Sequence, residues 1–187
     1  LQGDLAINYW PQKPLLDDVR VYHHHAYRAQ CEQGETRYWL PAFSPAGYAT
    51  RFDILAHALA LLVGLGSDEQ RRSADASVQA LAEQTGSLLL PAFWPVIQPG
   101  EPLWSVLEAN RLSDEMRNQP YMYHNGGLWP MLTALYTLGL VASGLQEPER
   151  GEELLAAINA ANVQGEGEKH WGFAQYHHRW LGRYVYH

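Results

Sequence analysis

From Phe52 to Gly165 the apolar residues recur every three or four positions, and glycine closes each run. That period lines side chains along one face of an α-helix, so the chain is expected to be built of helices joined by loops. Phe52, Leu55, Leu59, Leu62 and Val63 form the first stripe, stopped by Gly64 and Gly66. Ser67-Asp68-Glu69-Gln70 then reads as a capping box, in which Ser67 and Gln70 each satisfy a backbone N–H at a helix start. It opens a second helix through Gln84, closed by Gly86. A third begins at Trp129 or Pro130, buries Leu132, Leu135, Tyr136 and Leu140, and ends before Gly144. A fourth starts at Pro148, carries Leu154, Leu155, Ile158 and Ala161, and stops near Gly165. Pro14 to Gln33 is expected as one more helix with a less regular pattern. No strand signal compares with these: Leu88-Leu89-Leu90 is apolar but short and runs into Pro91.

The loops between the second and third helices, and after the fourth, are too long to be idle connectors. Long loops on a rigid scaffold are where sites are usually carried. Helix pairs with such loops suggest an α/α toroid, a ring of paired helices around a central pocket. A closed ring of about twelve helices, each roughly 11–12 residues long, needs far more chain than is present. The expected fold class is therefore all-α, with residues 1–187 forming a single domain that is an incomplete portion of such a toroid.

Composition narrows the function. Thirteen basic against twenty acidic residues give a net charge of −7, a field that repels phosphate backbones, so no nucleic acid and no anionic membrane is expected as partner. No apolar run approaches the roughly 20 residues that cross a bilayer. Leu1-Gln2-Gly3-Asp4 lacks the basic and apolar blocks of a signal peptide. Cys31 stands alone, which excludes a disulfide framework and fits a cytoplasmic location. Seven Trp and eleven Tyr against four Phe are an unusual choice for core filling, because buried indole N–H and phenol O–H groups need partners. Such a surplus suits a cleft that stacks on sugar C–H faces and donates to hydroxyls; a large core with polar tips at the surface explains it equally well.

The most informative stretch is Asn118-Gln119-Pro120-Tyr121-Met122-Tyr123-His124-Asn125-Gly126-Gly127-Leu128-Trp129-Pro130. His124 and Asn125 offer directional donors and acceptors, and Gly126 and Gly127 allow close backbone approach or positive φ. The helix that follows presents N-terminal N–H groups towards the same place. Tyr121, Tyr123 and Trp129 supply ring faces. The stretch reads as a hydroxyl-binding cradle, or as a glycine turn in which Asn125 steadies a helix start.

This segment resembles the hallmark of the neutral/alkaline invertases, Asn-x-Pro-x-x-Tyr-His-Asn-Gly-Gly-x-Trp-Pro, without a gap from Asn118 to Pro130. Arg51-Phe52, the apolar helix after it and Gly66-Ser67-Asp68-Glu69-Gln70 are similar to the family's preceding helix and cap. Trp94-Pro95-Val96 is similar to its Tyr-Pro-Ala loop, and the likeness covers roughly residues 38 to 185. The resemblance implies a glycoside hydrolase with an (α/α)6 barrel, of which this chain would be the C-terminal portion. It implies a small saccharide partner, sucrose or a related glucoside, an inverting outcome, and neither metal nor organic cofactor. Expected protein partners are the rest of the barrel or further copies in a homo-oligomer.

A second segment, Trp171 to Arg183, aligns with the family's Trp-Pro-Glu-Tyr-Tyr-Asp and a following Gly-Arg pair. The spacing from Gln175 to Gly182 matches that from the catalytic glutamate to this glycine, so Gln175 occupies the place of one of two catalytic carboxylates. Glycoside hydrolysis needs one carboxyl to protonate the leaving oxygen and another to activate water or attack. An amide does neither. Gln175 is then an engineered isosteric replacement, a natural mark of a sugar-binding pseudoenzyme, or a sign that Glu166, Glu168 or His170 carries the role. Substrate contacts are expected from Tyr123, His124, Asn125, Gly126, Gly127, Trp129, Trp171 and Tyr176, while His177, next to His178 beside the pocket, either contacts substrate or packs there.

Other candidates carry less. His23-His24-His25 cannot converge easily on one ion, since adjacent helical residues point about 100° apart. Asp53 stands at a helix start, where a carboxylate either caps or lines the pocket. Glu115 either binds sugar hydroxyls or anchors the loop, and Glu101 and Glu108 are expected to be solvated. Two other functions stay open: a binding protein without turnover, and an α/α-barrel epimerase in which His124 works with His177 or His178 as an acid–base pair.

Overall fold

The computed structural model describes residues 1–111, 116–145 and 148–163, together with two short strands at 176–177 and 184–185. Two helical hairpins form its centre. The first joins α3 (Ile54–Leu62) to α4 (Asp68–Thr85), and the second joins α6 (Pro130–Ser143) to α7 (Pro148–Val163). Helix α6 packs against both α3 and α7. Their bounds follow from local chemistry. Ser67 accepts from Gln70 N while Gln70 returns the bond to Ser67 N, completing the capping box, and Gly86 ends α4 in the left-handed conformation. Pro130 fills the first turn of α6, and Gly144 ends it with φ 62°.

The α3–α6 crossing is close because Gly139 has no side chain. A Cβ there would lie 2.9 Å from Leu61 Cβ and 3.0 Å from the Ala58 carbonyl oxygen. Around this crossing Ile54, Ala58, Leu61, Val78, Leu81, Leu90, Trp129, Leu132, Tyr136, Leu140 and Leu154 form the main core. The sequence expectation for α3 is corrected here. Leu55, Leu59 and Val63 of the expected stripe lie outside the core, and Ile54, His57, Ala58 and Leu61 face inward instead. The helix carries no charged residue, so periodicity alone does not choose between its faces. Small residues decide the matter, because only the Ala58 side lets α6 approach.

One buried polar link ties α4 to α6. The Tyr136 hydroxyl donates to Asp75 Oδ1 at 2.5 Å, and Gln79 Nε2 donates to Asp75 Oδ2 at 2.7 Å. Burial, then the Asp75 charge, pushes the Tyr136 phenol well above its ordinary value, so it stays a donor at any working pH.

The N-terminal third wraps one end of this core. It contains α1 (Gln2–Asn8), a single 3-10 turn at Lys13–Leu15 and α2 (His24–Gln33). The expected continuous helix from Pro14 to Gln33 is therefore broken. Buried Asn8 accounts for the break: it donates to the Arg20 carbonyl at 2.8 Å and accepts from Tyr22 N at 2.9 Å, holding that stretch out of helical geometry. A hairpin follows, β1 (Ala42–Ser44) with β2 (Gly47–Ala49), in the register Ala42↔Ala49. Two further antiparallel pairs join β3 (Phe52–Asp53) to β4 (Phe93–Trp94) and β5 (Tyr176–His177) to β6 (Tyr184–Val185). A short α5 (Trp104–Ala109) lies between β4 and α6. The molecule is thus mostly helical rather than all-α. Strands of two or three residues are too short to show alternation in a sequence. No described helix is long and apolar enough to cross a membrane.

Tyr136→Phe removes the donor and leaves the Asp75 carboxylate buried one partner short. The expected loss is about 1–3 kcal/mol of unfolding free energy, read as a lower urea midpoint with an unchanged slope.

Candidate functional site

The hallmark loop from Asn118 to Trp129 is laid along the 88–97 segment and fastened to it by backbone hydrogen bonds. Ala92 N donates to the Gly127 carbonyl at 3.1 Å, and Trp129 N donates to the Leu90 carbonyl at 3.0 Å. Asn125 adds a side-chain clamp. Its Oδ1 accepts from Ile97 N at 2.7 Å, and its Nδ2 donates to the carbonyls of Ile97 at 2.9 Å and Asn118 at 3.1 Å. Asn125 is buried, so its amide works inside the loop. Gly126 sits at φ 88°, and a Cβ there would run into Val96 Cγ1. Glycine is therefore required where the loop presses on the 88–97 segment.

Within the loop the backbone folds into a tight knot. Tyr121 N donates to the Asn125 carbonyl at 2.7 Å, Asn125 N to Met122 at 2.9 Å, and Gly127 N to Tyr123 at 3.1 Å. Tyr121 and Tyr123 both take positive φ, 68° and 44°, a conformation that side-chain-bearing residues seldom adopt. The Trp129 indole N–H donates to the Tyr123 carbonyl at 2.9 Å and helps to fix that turn.

The knot displays a partly open aromatic shelf. The His124 ring stacks on Tyr123, with centroids 4.1 Å apart and planes 17° from parallel, and it leans on Trp129 at 5.1 Å. Phe93 meets His124 edge-on at 6.5 Å, and Trp94 lies 6.2 Å from Tyr121. His124 remains exposed while Trp129 is buried beneath it. Burial among the rings lowers the His124 pKa from its ordinary value, against an opposing pull from the Asp53 carboxylate. The shelf thus holds a histidine biased towards the neutral form. Helix α6 starts directly behind it without a side-chain cap.

Two further polar residues stand at the junction of β3 and α3. Asp53 caps α3 by accepting from Ala56 N at 3.2 Å. His57 is almost fully buried, stacks on Phe52 at 4.2 Å, and directs Nδ1 at the Asp53 carbonyl at 2.5 Å. A carbonyl only accepts, so His57 carries its proton on Nδ1. Nε2 finds no partner among the described residues. Burial lowers the His57 pKa to about 4, keeping the ring neutral.

Of the sequence-derived site residues, Tyr123, His124, Asn125, Gly126, Gly127 and Trp129 come together in this one loop. Gln175 and Trp171 lie outside the described residues, as do Glu115, Glu166, Glu168 and His170; Tyr176 and His177 are described as strand β5. Glu101, expected to be solvated, pairs with Arg51 at 2.7 Å and accepts from Gln98 N at 3.2 Å. Phe93 was not legible as a site residue; the nearby Trp94-Pro95-Val96 was the available signal. His23, His24 and His25 begin α2, with His24 Nδ1 3.2 Å from the Leu16 carbonyl. A cleft of about 730 Å³ lies elsewhere, between α1, α2 and the start of α4, and touches none of the loop residues.

The glycine-anchored loop thus presents ring faces and an imidazole biased towards the neutral form beside the start of α6, on a mostly helical scaffold. Comparison with known proteins identifies the chain as a distant homologue of plant alkaline/neutral invertases. It is 28% identical over 156 residues to cytosolic invertase 1 of Oryza sativa subsp. japonica, covering 83% of the chain and 25% of that protein. It is 28% identical over 115 residues to alkaline/neutral invertase C, mitochondrial, of Arabidopsis thaliana, covering 59% of the chain and 16% of that protein. The chain therefore spans a quarter or less of the length of these relatives. No family model matches.

The buried His57 makes stability depend on pH with a definite sign. Its folded value lies below the ordinary 6.5, so the unfolded chain binds the extra proton. Stability is complete above pH 6.5 and falls as the pH drops towards 4, by up to about 3 kcal/mol. His57→Phe keeps a flat ring in the same stack, and denaturant titrations at pH 7 and pH 4.5 should show a smaller difference in this variant.

Proposed function

We propose that this chain forms part of the saccharide site of an invertase-type glycoside hydrolase, with sucrose or a related glucoside as ligand. The observation that carries this reading is the Tyr123–His124–Trp129 stack held at fixed geometry above the start of α6. Ring faces bind the C–H surfaces of a pyranose or furanose, and a neutral imidazole both donates to and accepts from hydroxyls. Tyr123 and His124 are assigned the ligand contacts, while Asn125, Gly126 and Gly127 hold the loop and Trp129 supports it from below. Trp171, Tyr176 and His177 are assigned further ligand contacts, with Gln175 in the place of a catalytic carboxylate. No cofactor is invoked, and the lone buried Cys31 suits a reducing cytoplasm.

The reading that 1–187 is a portion of an (α/α)6 barrel draws support from α3 and α6. Neither helix carries a charged residue. Leu55, Leu59, Val63, Met131, Leu138 and Val141 are nonetheless 41% to 60% exposed. Helices that are apolar all round are normally buried. Further helices of the barrel, or a second copy of the chain, would cover such a face.

Hydrolysis needs two carboxyl groups, and an amide at position 175 predicts binding without turnover. Calorimetric titration of the chain with sucrose should show binding, and His124→Ala should weaken it by about tenfold, equivalent to 1.4 kcal/mol. With the second carboxylate supplied by the rest of the barrel, Gln175→Glu should then release glucose and fructose, measured by product analysis. Sucrose binding with no release from Gln175→Glu when the rest of the barrel is present assigns the chain to a binding protein. Inversion of one carbon on a free sugar assigns it to the epimerase class.

A further inference from the structure

The cleft of about 730 Å³ between α1, α2 and the start of α4 has the makings of a second site. Its size falls within the roughly 300–1,000 Å³ of small-molecule pockets. Ile7, Trp10, Pro11 and Cys31 are buried and give it an apolar lining. Around that lining stand Glu32, Glu35 and Glu69, all exposed. No ion pair engages any of the three carboxylates among the described residues. Lys13 is the basic residue of the described lining, so three negative groups face one positive group there.

A buried hydroxyl in the same wall lacks a partner. Thr36 is 8% exposed, and its Oγ1 makes no hydrogen bond. Buried polar side chains are nearly always paired, and an unpaired one costs the folded chain its full desolvation penalty. The neighbouring polar groups of the cleft are already committed. Ser67 and Gln70 close the capping box of α4, and Ser73 donates to the Arg37 carbonyl at 3.0 Å. Beside Thr36 the chain is open: Gly34 and Glu35 are exposed, and a Cβ at Gly34 would meet nothing within 4 Å. A small movement there lets a ligand reach the hydroxyl.

We propose that this cleft binds a small organic cation, an ammonium group carried on an apolar body. The body lies against Ile7, Trp10 and Pro11, while the ammonium donates to Thr36 Oγ1 and to the carboxylates of the rim. An ammonium offers three donors and no acceptor, which matches a rim of carboxylates and one unpaired oxygen. An anion of the same shape would meet net negative charge. This site is separate from the hallmark loop and does not rest on the saccharide reading.

Phenethylammonium and phenylacetate, which carry the same ring on opposite charges, are titrated separately into the full chain. Binding is followed by calorimetry and by NMR at the amides of residues 34–36. The amine should bind saturably at millimolar concentration and shift those amides, and phenylacetate should not. Raising the salt from about 0.1 M to 1 M shortens the screening length from about 10 Å to 3 Å and should weaken the amine. Glu35→Gln should weaken it about threefold. Thr36→Val should weaken it about fivefold, yet leave the thermal midpoint of the free chain unchanged or higher, because a methyl replaces an unpaired buried hydroxyl. Phenylacetate binding as tightly as the amine overturns the inference, as does an amine affinity that neither variant alters. A parent chain whose 34–36 amides show no saturable shift with the amine overturns it as well.

Discussion

The structure depends on Ala92. Its N–H donates to the Gly127 carbonyl at 3.1 Å, and its carbonyl accepts from Ile54 N at 3.2 Å. One residue thus fastens the hallmark loop on one side and the start of α3 on the other. Leu90 adds a second rung, accepting from Trp129 N at 3.0 Å and donating to Thr133 Oγ1 at 3.0 Å, which ties in the start of α6. Both residues are buried, so these polar groups would be costly to leave unpaired. The 88–97 segment is the brace that brings two helix starts and one loop into register. The aromatic shelf exists because that register is fixed.

Helix ends were legible because they depend on neighbours in sequence. The Ser67–Gln70 box, Pro130 and the stop glycines at 86 and 144 act over three or four residues, and each stands where its chemistry requires. Faces were less legible. In α3 every position is uncharged, and the packed side is chosen by Gly139 on another helix, which no local pattern reports. The break after Leu15 was hidden for a similar reason, since Asn8 holds residues 20 and 22 from outside that segment.

The candidate site was legible as a string of residues and illegible as a division of labour. Asn125 reads in sequence either as a hydroxyl binder or as a residue steadying the glycine turn, and its amide makes three hydrogen bonds to the loop and the brace. Asp53 reads in sequence as either a cap or a pocket-lining carboxylate; the structure shows the cap and pairs the residue with Phe93. Two-residue strands leave no alternation to read, so the pairing of Asp53 with Phe93 emerges only in the structure.

The positive φ values at Tyr121 and Tyr123 bear on why such a loop persists. Each costs on the order of 1–3 kcal/mol relative to a relaxed backbone. Glycine would relieve the strain but would forfeit the rings, and Tyr123 is the ring on which His124 stacks. The knot offsets the cost with the bonds from Tyr121 N, Asn125 N and Gly127 N and the indole N–H of Trp129. Asn125 then anchors the whole to Ile97. A loop serving only as a connector would have no reason to retain two strained tyrosines where glycine fits. The strain is sensible if the rings must stand at those two places, with the imidazole stacked on Tyr123 and Tyr121 set beside Trp94.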